Sequence, residues 1–225
     1  MKDLGEDAYV LVIKIYRDRS RRLIGLSQST YLDKVLKKFK MDQSKKGFLH
    51  VLQGVKLSKT QSSTKAEERE RMKVIPCASA IGSIMYAMLC TILDVCLATS
   101  LAGRYQSDLG VDHWIAVKNI LKHRKRTKDM FLVYGGDEEF VVKGYVAASF
   151  DTGLDTSKSQ TGYIFLLNDG AVSWCSSKKS VVAVSTREAE YIAASKVAQE
   201  GFWMKEFISD LGVIPSASGS NDCPL

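Results

Sequence analysis

Apolar and polar positions fall into blocks of different period along the chain. From residue 8 to 17 the run Ala-Tyr-Val-Leu-Val-Ile-Lys-Ile-Tyr-Arg is dense in β-branched and aromatic residues. A second such run, Arg22-Leu23-Ile24-Gly25-Leu26-Ser27, follows the polar Asp18-Arg19-Ser20, and the pair predicts a β-hairpin. Over 29–40 the period becomes helical, with Leu32, Val35, Leu36 and Phe39 on one stripe and Lys34, Lys37, Lys38 and Lys40 on the other. Over 45–73 no period survives. Gln61-Ser62-Ser63-Thr64 and the charge-dense Glu67-Glu68-Arg69-Glu70-Arg71 predict a long linker or mobile loop. Helical spacing returns at Pro76 and predicts three packed helices over 78–89, 93–105 and 111–123. The last turns Trp114, Val117, Ile120 and Leu121 inward and ends in Lys122-His123-Arg124-Lys125-Arg126-Thr127-Lys128.

Phe131-Leu132-Val133-Tyr134-Gly135-Gly136-Asp137 reads as a short strand and turn that closes the first part. Three strands are then predicted over 141–150, 161–167 and 171–176, the last two joined by the hairpin signal Asn168-Asp169-Gly170. A helix over 186–211 follows, stopped by Gly212 and Pro215. The fold class is therefore α/β, in two parts, 1–136 and 137–225. Three antiparallel strands and a helix make an incomplete α/β layer, because the helix should deliver the chain to a further strand beside the first. The chain ends instead at Asn221-Asp222-Cys223-Pro224-Leu225. Strand 141–150 is then expected to be an exposed edge, open to pairing with another chain or to aggregation.

Composition adds little to the class: 45% hydrophobic and 25% charged residues in 225 suit one or two globular domains. The distribution of charge adds more. Residues 1–143 hold 26 Lys/Arg against 16 Asp/Glu, whereas 144–225 hold 6 against 9. A basic part joined to a slightly acidic one suggests a polyanion-binding segment beside a separate functional unit; a solvated basic surface is the plainer reading. Cys77, Cys90, Cys96, Cys175 and Cys223 form no CxxC pair, and with three histidines no zinc spacing arises. The acidic start, Met1-Lys2-Asp3-Leu4-Gly5-Glu6-Asp7, lacks the order of a signal peptide. An intracellular chain, cytoplasmic or nuclear and not secreted, is expected. Between Ile84 and Gly103 the only charge is Asp94, which raises a membrane span; the cost of that carboxylate and the Ala, Thr, Ser and Cys content argue against it.

The candidate chemistry lies in two places. Ser185 and Glu188 fit a capping box, so Glu188 has a structural job, but Glu190, beside Ala189, Ile192 and Ala193, has no need to cap anything and is the first functional suspect. The second is the basic run with Lys118, Lys122, Arg124, Lys125, Arg126 and Lys128, which reads as a nucleic-acid contact, a nuclear-import signal or a charged helix end. Lysine and arginine without placed Asn/Gln or stacking aromatics neutralise phosphates and read no sequence, so any binding would be nonspecific and salt-sensitive.

Several ordered blocks carry a resemblance. Met1-Lys2-Asp3-Leu4-Gly5-Glu6, Leu26-Ser27-Gln28-Ser29-Thr30-Tyr31, Ala80-Ile81-Gly82-Ser83-Ile84-Met85-Tyr86-Ala87-Met88 and His113-Trp114-Ile115-Ala116-Val117-Lys118 lie in the first part. Lys158-Ser159-Gln160-Thr161-Gly162-Tyr163, Gly170-Ala171-Val172-Ser173-Trp174 and the stretch from Ser185 to Ser195 lie in the second. Together they resemble the Pol polyprotein of copia-type long-terminal-repeat retrotransposons, especially plant ones, over essentially the whole chain.

That resemblance implies that 1–136 is the C-terminal part of a reverse transcriptase, with a primer-supporting hairpin at 8–27 and thumb- or connection-like helices. It implies that 137–225 is a ribonuclease H-like domain truncated before its fourth strand. Met1 then reads as an internal methionine of a longer polyprotein, and the polymerase aspartates are absent. The family's ribonuclease H cuts the RNA strand of an RNA–DNA hybrid with two Mg²⁺ ions about 3.5–4 Å apart, held by several carboxylates. Glu190 matches the family's helix glutamate. Ala147, in Gly144-Tyr145-Val146-Ala147-Ala148-Ser149-Phe150, stands where the family has its first aspartate. Asp151 and Asp155 are near in sequence, Asp151 past the strand's end, and the next family aspartate would fall just beyond Asp222. Cys90-Thr91-Ile92-Leu93-Asp94 replaces a Cys-Thr-Arg-Pro-Asp junction, and Val12 stands where a glycine is expected.

Three functional readings follow. One is a catalytically inactive Pol remnant with residual binding to RNA–DNA hybrid or other nucleic acid, in which Glu190 is the vestige of a catalytic and metal site and no cofactor is held. The second is a protein-interaction module using the exposed sheet edge. The third is a residual Mg²⁺-dependent hybrid ribonuclease drawing on Asp151, Asp155 or Asp222 with Glu190.

Overall fold

The computed structural model describes residues 8–49, 57–135, 141–150, 155 and 158–212. Strands β1 (Tyr9–Val10), β2 (Ile13–Asp18) and β3 (Leu23–Ser27) form an antiparallel meander. Val10 pairs with Ile13, so Leu11 and Val12 are the two central residues of the first turn, at φ 49° and 65°. Both are left-handed, as a type I′ hairpin turn requires, and such positions favour Asn and Gly over a β-branched side chain. The backbone thus explains why a glycine is expected at 12. Strand β4 (Leu132–Gly135) returns from beyond the helices to pair antiparallel with β3 and complete a four-stranded sheet.

Helix α1 (Ser29–Lys38) turns Leu32, Val35 and Leu36 into the core and ends two residues short of the predicted limit, with Lys40 at φ 56°. It packs against α3 (Cys77–Cys90) and α5 (Val111–Thr127), which with α4 (Cys96–Gly103) form one apolar cluster that includes Ala80, Ile81, Val95, Val117, Ile120 and Leu121. The predicted helix over 93–105 is a 3-10 turn, Leu93–Val95, leading into α4. Alanine at 80, 87, 98 and 102, each nearly inaccessible, lets the helices approach closely.

The structure corrects the reading of 45–73 as a loop. After a 3-10 turn, Lys59–Gln61, helix α2 (Ala66–Lys73) forms with Glu67 and Glu68 in its first turn and Arg71 and Lys73 in its last, the arrangement that suits the helix dipole. Its one buried side chain is Met72, so there was no apolar stripe to detect. The chain before it is pinned. His113, 1% exposed, accepts the Gly110 N–H at Nδ1 (3.0 Å) and donates from Nε2 to the Ser58 carbonyl (2.9 Å). Ser62 and Ser63 hydroxyls donate to the Asp108 and Leu109 carbonyls at 2.9 and 3.1 Å. Among the described residues no single helix is long and apolar enough to cross a membrane, and the bent pair α2–α3 that approaches the length carries Glu67-Glu68-Arg69-Glu70-Arg71 in its first half.

The second sheet has the order β5 (Val142–Ser149), β6 (Gln160–Leu167), β7 (Gly170–Lys178), all antiparallel. Leu167 pairs with Gly170, which puts Asn168 (φ 48°) and Asp169 (φ 62°) in the two turn positions. Gly170 opens β7 against Tyr134: a Cβ there would lie 2.4 Å from the ring, so only glycine permits the approach. Helix α6 (Thr186–Asp210) lies chiefly over β5, burying Ala189, Ala193 and Met204, and Lys196 reaches the Ser177 hydroxyl at 3.0 Å. A mixed helix and antiparallel-sheet architecture is thus observed, in keeping with the α/β class.

The two parts meet through polar contacts. Trp174 Nε1 donates to the Met88 carbonyl (3.0 Å), Tyr134 Oη donates to the Ala171 carbonyl (2.6 Å), and Arg104 donates to the Gln160 side chain. The predicted boundary at 136–137, together with Asp151, Asp222 and the end of the chain, lies outside the described residues.

Candidate functional site

Ser185 caps α6 as its sequence suggests: its Oγ accepts the Glu188 N–H at 3.2 Å. The Glu188 carboxylate reaches back one residue further than the usual capping box, accepting the Val184 N–H at 2.6 Å. Glu188 is therefore engaged at the helix start. Glu190 is exposed, next to the buried Ala189.

Position 147 lies on the other face of the sheet. Phe165 meets α6 at Gly201, where an added Cβ would lie 3.5 Å from the ring, and Gly144 is its cross-strand partner, with an added Cβ 2.8 Å away. Side chains alternate along a strand, so Val146 and Ala148 share that face while Tyr145 and Ala147 turn away from α6. They line a groove of about 390 Å³ between the sheet and the helices, whose other wall includes Leu93, Asp94 and Leu97. The structure does not bring position 147 and Glu190 to one face. Asp155 is also committed elsewhere, accepting the Lys59 N–H at 3.0 Å and the Tyr105 hydroxyl at 2.9 Å. The Lys59 amide, with the Tyr105 hydroxyl, holds its carboxyl below the usual range. Burial pushes the Tyr105 phenol up to about 12, so it stays a donor. Among the described residues no three His, Cys, Asp or Glu side chains gather as a metal site.

The basic run is divided by the fold. Helix α5 continues through it to Thr127, so its cations point in different directions. Arg124 is 4% exposed and donates to Asp94 at 2.8 Å, while His123 Nε2 meets the other oxygen of the same carboxylate at 2.7 Å. Burial lowers the Arg124 pKa, and Asp94 opposes that shift. Lys125 donates to the Ser44 carbonyl (2.6 Å) and Lys128 to Asp33 (2.7 Å), a bond that raises the lysine's pKa. Arg126 is exposed and lies 3.9 Å over the Phe48 ring. Lys118 and Lys122 are half-buried, and the Lys122 carbonyl accepts the Gly47 N–H at 3.0 Å.

A more uniform cationic face lies on α1 and its C-terminal turn, where Lys34, Lys37, Lys38 and Lys40 are all exposed. The helical spacing that marked the basic stripe was the signal for it. The buried Arg124 had a signal too: Asp94, the only carboxylate in an apolar stretch, called for a cationic partner.

Over 213 residues, 95% of its length, the chain is 41% identical to the Retrovirus-related Pol polyprotein from transposon TNT 1-94 of Nicotiana tabacum, of which it spans 16%. It is 36% identical over 133 residues to Secreted RxLR effector protein 161 of Plasmopara viticola, covering 59% of this chain and 94% of that protein. It is 26% identical over 213 residues to the Retrovirus-related Pol polyprotein from transposon RE1 of Arabidopsis thaliana, again 95% of this chain but 14% of the relative. No protein-family model and no solved structure matches it.

Proposed function

The chain belongs to the retrovirus-related Pol polyproteins of transposons, and on that premise we propose that it is a non-catalytic remnant of their reverse transcriptase and ribonuclease H region, with residual, nonspecific affinity for nucleic acid. One observation carries this reading. Where the resemblance calls for the first metal-binding aspartate, the residue is Ala147, and it faces the groove away from α6.

Among the described residues the donor set does not fit a pair of Mg²⁺ ions. A methyl group offers no ligand, Glu190 stands on the other side of the sheet, and Asp155 is held by Lys59 and Tyr105. No hydrolytic step is derived through a metal for this chain.

Residual binding rests on charge. Lys34, Lys37 and Lys38 on α1 and Lys40 just beyond it present four exposed ammonium groups, that of Lys38 also donating to the Ser79 hydroxyl at 2.9 Å, with Arg126 on α5 of the same helical cluster. Such a face neutralises phosphates without reading bases, and the affinity falls with salt by a slope of about −0.9 per phosphate contacted on duplex DNA. Arg124, Lys125 and Lys128 are spent on internal partners and contribute little. Titration of a labelled RNA–DNA hybrid over a salt series tests the reading: salt-dependent binding with the RNA strand left intact supports it, and cleavage of the RNA contradicts it.

A further inference from the structure

Among the described residues, four cations converge where the two parts of the chain meet. Arg104, at the end of α4, donates to the Gln160 side chain, and Gln160 is itself fixed by donating to the Ser176 hydroxyl at 2.8 Å and the Ser100 hydroxyl at 3.3 Å. Lys178 is the cross-strand partner of Gln160, so its side chain leaves the sheet on the same face. The ladder runs one pair further, with the Lys179 N–H donating to the Ser159 carbonyl at 2.9 Å, which sets Lys158 on that face as well. Lys59 comes from the first part, its amide N–H donating to Asp155 at 3.0 Å. Burial lowers the Lys178 pKa, and Arg104, Lys158 and Lys59 lower it further, with Asp155 opposing them.

One carboxylate does not balance this charge. Asp155 takes its hydrogen bonds from neutral donors, the Lys59 amide and the Tyr105 hydroxyl, and among the described residues none of the four cations forms an ion pair. By sequence the stretch between β5 and β6 holds Asp151 besides Asp155, so the cations outnumber its acids four to two even with both counted. Arg104, Lys158 and Lys178 are half-buried, and the Arg104 Nε is a buried donor that lacks a partner among the described residues. Like charges that have lost part of their water call for a counter-charge. We propose that this seam binds one phosphate group, its oxygens shared among Lys59, Arg104, Lys158 and Lys178. A phosphate suits the donors better than a carboxylate does, because they come from four separate points and a phosphate has more oxygens to divide among them, with a guanidinium fork to take two. The group is either free inorganic phosphate or a phosphodiester of a nucleic-acid backbone. It ties Lys59 and α4 of the first part to β6 and β7 of the second, apart from the lysines of α1, and the inference does not depend on the affinity proposed for that face.

The test uses the full chain with inorganic phosphate as the probe, at constant ionic strength and with chloride as the reference. The thermal unfolding midpoint should rise with phosphate and level off, by about 3–5 °C at ten times the dissociation constant. Phosphate also stabilises proteins through exclusion from their surface, an increment that does not saturate and that variants share. Lys178→Gln should lose the saturable increment and leave the midpoint in chloride no lower, because it removes a cation that three others oppose. Lys158→Gln, which should lose the increment too, covers a folding failure of the first variant. Lys34→Gln on α1 should keep it, which separates this site from the nucleic-acid face. Affinity for a labelled RNA–DNA hybrid then names the source: a fall in Lys158→Gln with Lys178→Gln assigns a backbone phosphodiester, and an unchanged affinity assigns free phosphate. The absence of a saturable increment in the unsubstituted chain, or an increment that survives both Lys178→Gln and Lys158→Gln, would overturn the proposal.

Discussion

Arg124, 4% exposed, donates to Asp94 at 2.8 Å, so a residue from the most basic run of the sequence is an interior cation on a carboxylate that it shares with His123. Removing one member of such a pair strands the other. Asp94→Ala should lower stability by about 2–3 kcal/mol, below the full cost of breaking a buried pair because the Asp94 side chain is 41% exposed. Urea unfolding with an unchanged slope measures it; a loss below about 0.5 kcal/mol would mean that Arg124 finds water instead.

At the first hairpin the strain lies in Val12, at φ 65°. A left-handed conformation costs a non-glycine residue about 1–2 kcal/mol, partly offset by glycine's greater freedom in the unfolded chain. Val12→Gly should therefore stabilise the chain by about 1 kcal/mol, read as a raised unfolding midpoint.

The Asp155 contacts with Lys59 and Tyr105 favour its ionised form, so its pKa in the folded chain lies below the unfolded value of 3.8. Such a group contributes stability above its unfolded pKa and loses that contribution as pH falls through the folded one. Thermal unfolding should show an acid-side decline starting near pH 4, and Asp155→Asn should flatten it.

Burial pushes the Cys77 and Cys96 thiols up to about 11. With little thiolate at pH 8 and little access, both should resist a thiol reagent until the chain unfolds. Mass spectrometry of labelled peptides identifies them; rapid native labelling at either would contradict the packing of α3 against α4.

On the nucleic-acid face, Lys34→Glu with Lys37→Glu should weaken hybrid binding about tenfold or more at low salt and reduce the salt slope by roughly two phosphate contacts. Lys125→Gln should change it little, because that ammonium is bonded to Ser44.

Much of this fold is legible in the sequence because its periods are clean. The stripe of Leu32, Val35 and Leu36, the apolar spacing of Val117, Ile120 and Leu121, and the Asn168-Asp169 turn each state their local structure directly. Helix α2 is hidden because it buries a single side chain, Met72, and follows a segment held by contacts from residues far along the chain. His113 bonding Ser58 is one such contact, and no local pattern announces it. The division of labour among cations is equally non-local: Arg124 and Arg126 are two residues apart, one buried against Asp94 and the other exposed over Phe48. At position 147 the family resemblance implies an aspartate that the chain does not have, whereas the orientation of Ala147 away from α6 follows from the ladder of β5 with β6.

The most direct measurement is cleavage of a hybrid labelled on its RNA strand, with Mg²⁺ and separately with Mn²⁺, by the unsubstituted chain, by Ala147→Asp and by Glu190→Ala. The predicted result is an intact RNA strand in all three, because a carboxylate restored at 147 faces the groove and leaves Glu190 without a partner. RNA cutting by the unsubstituted chain that disappears in Glu190→Ala would contradict the account.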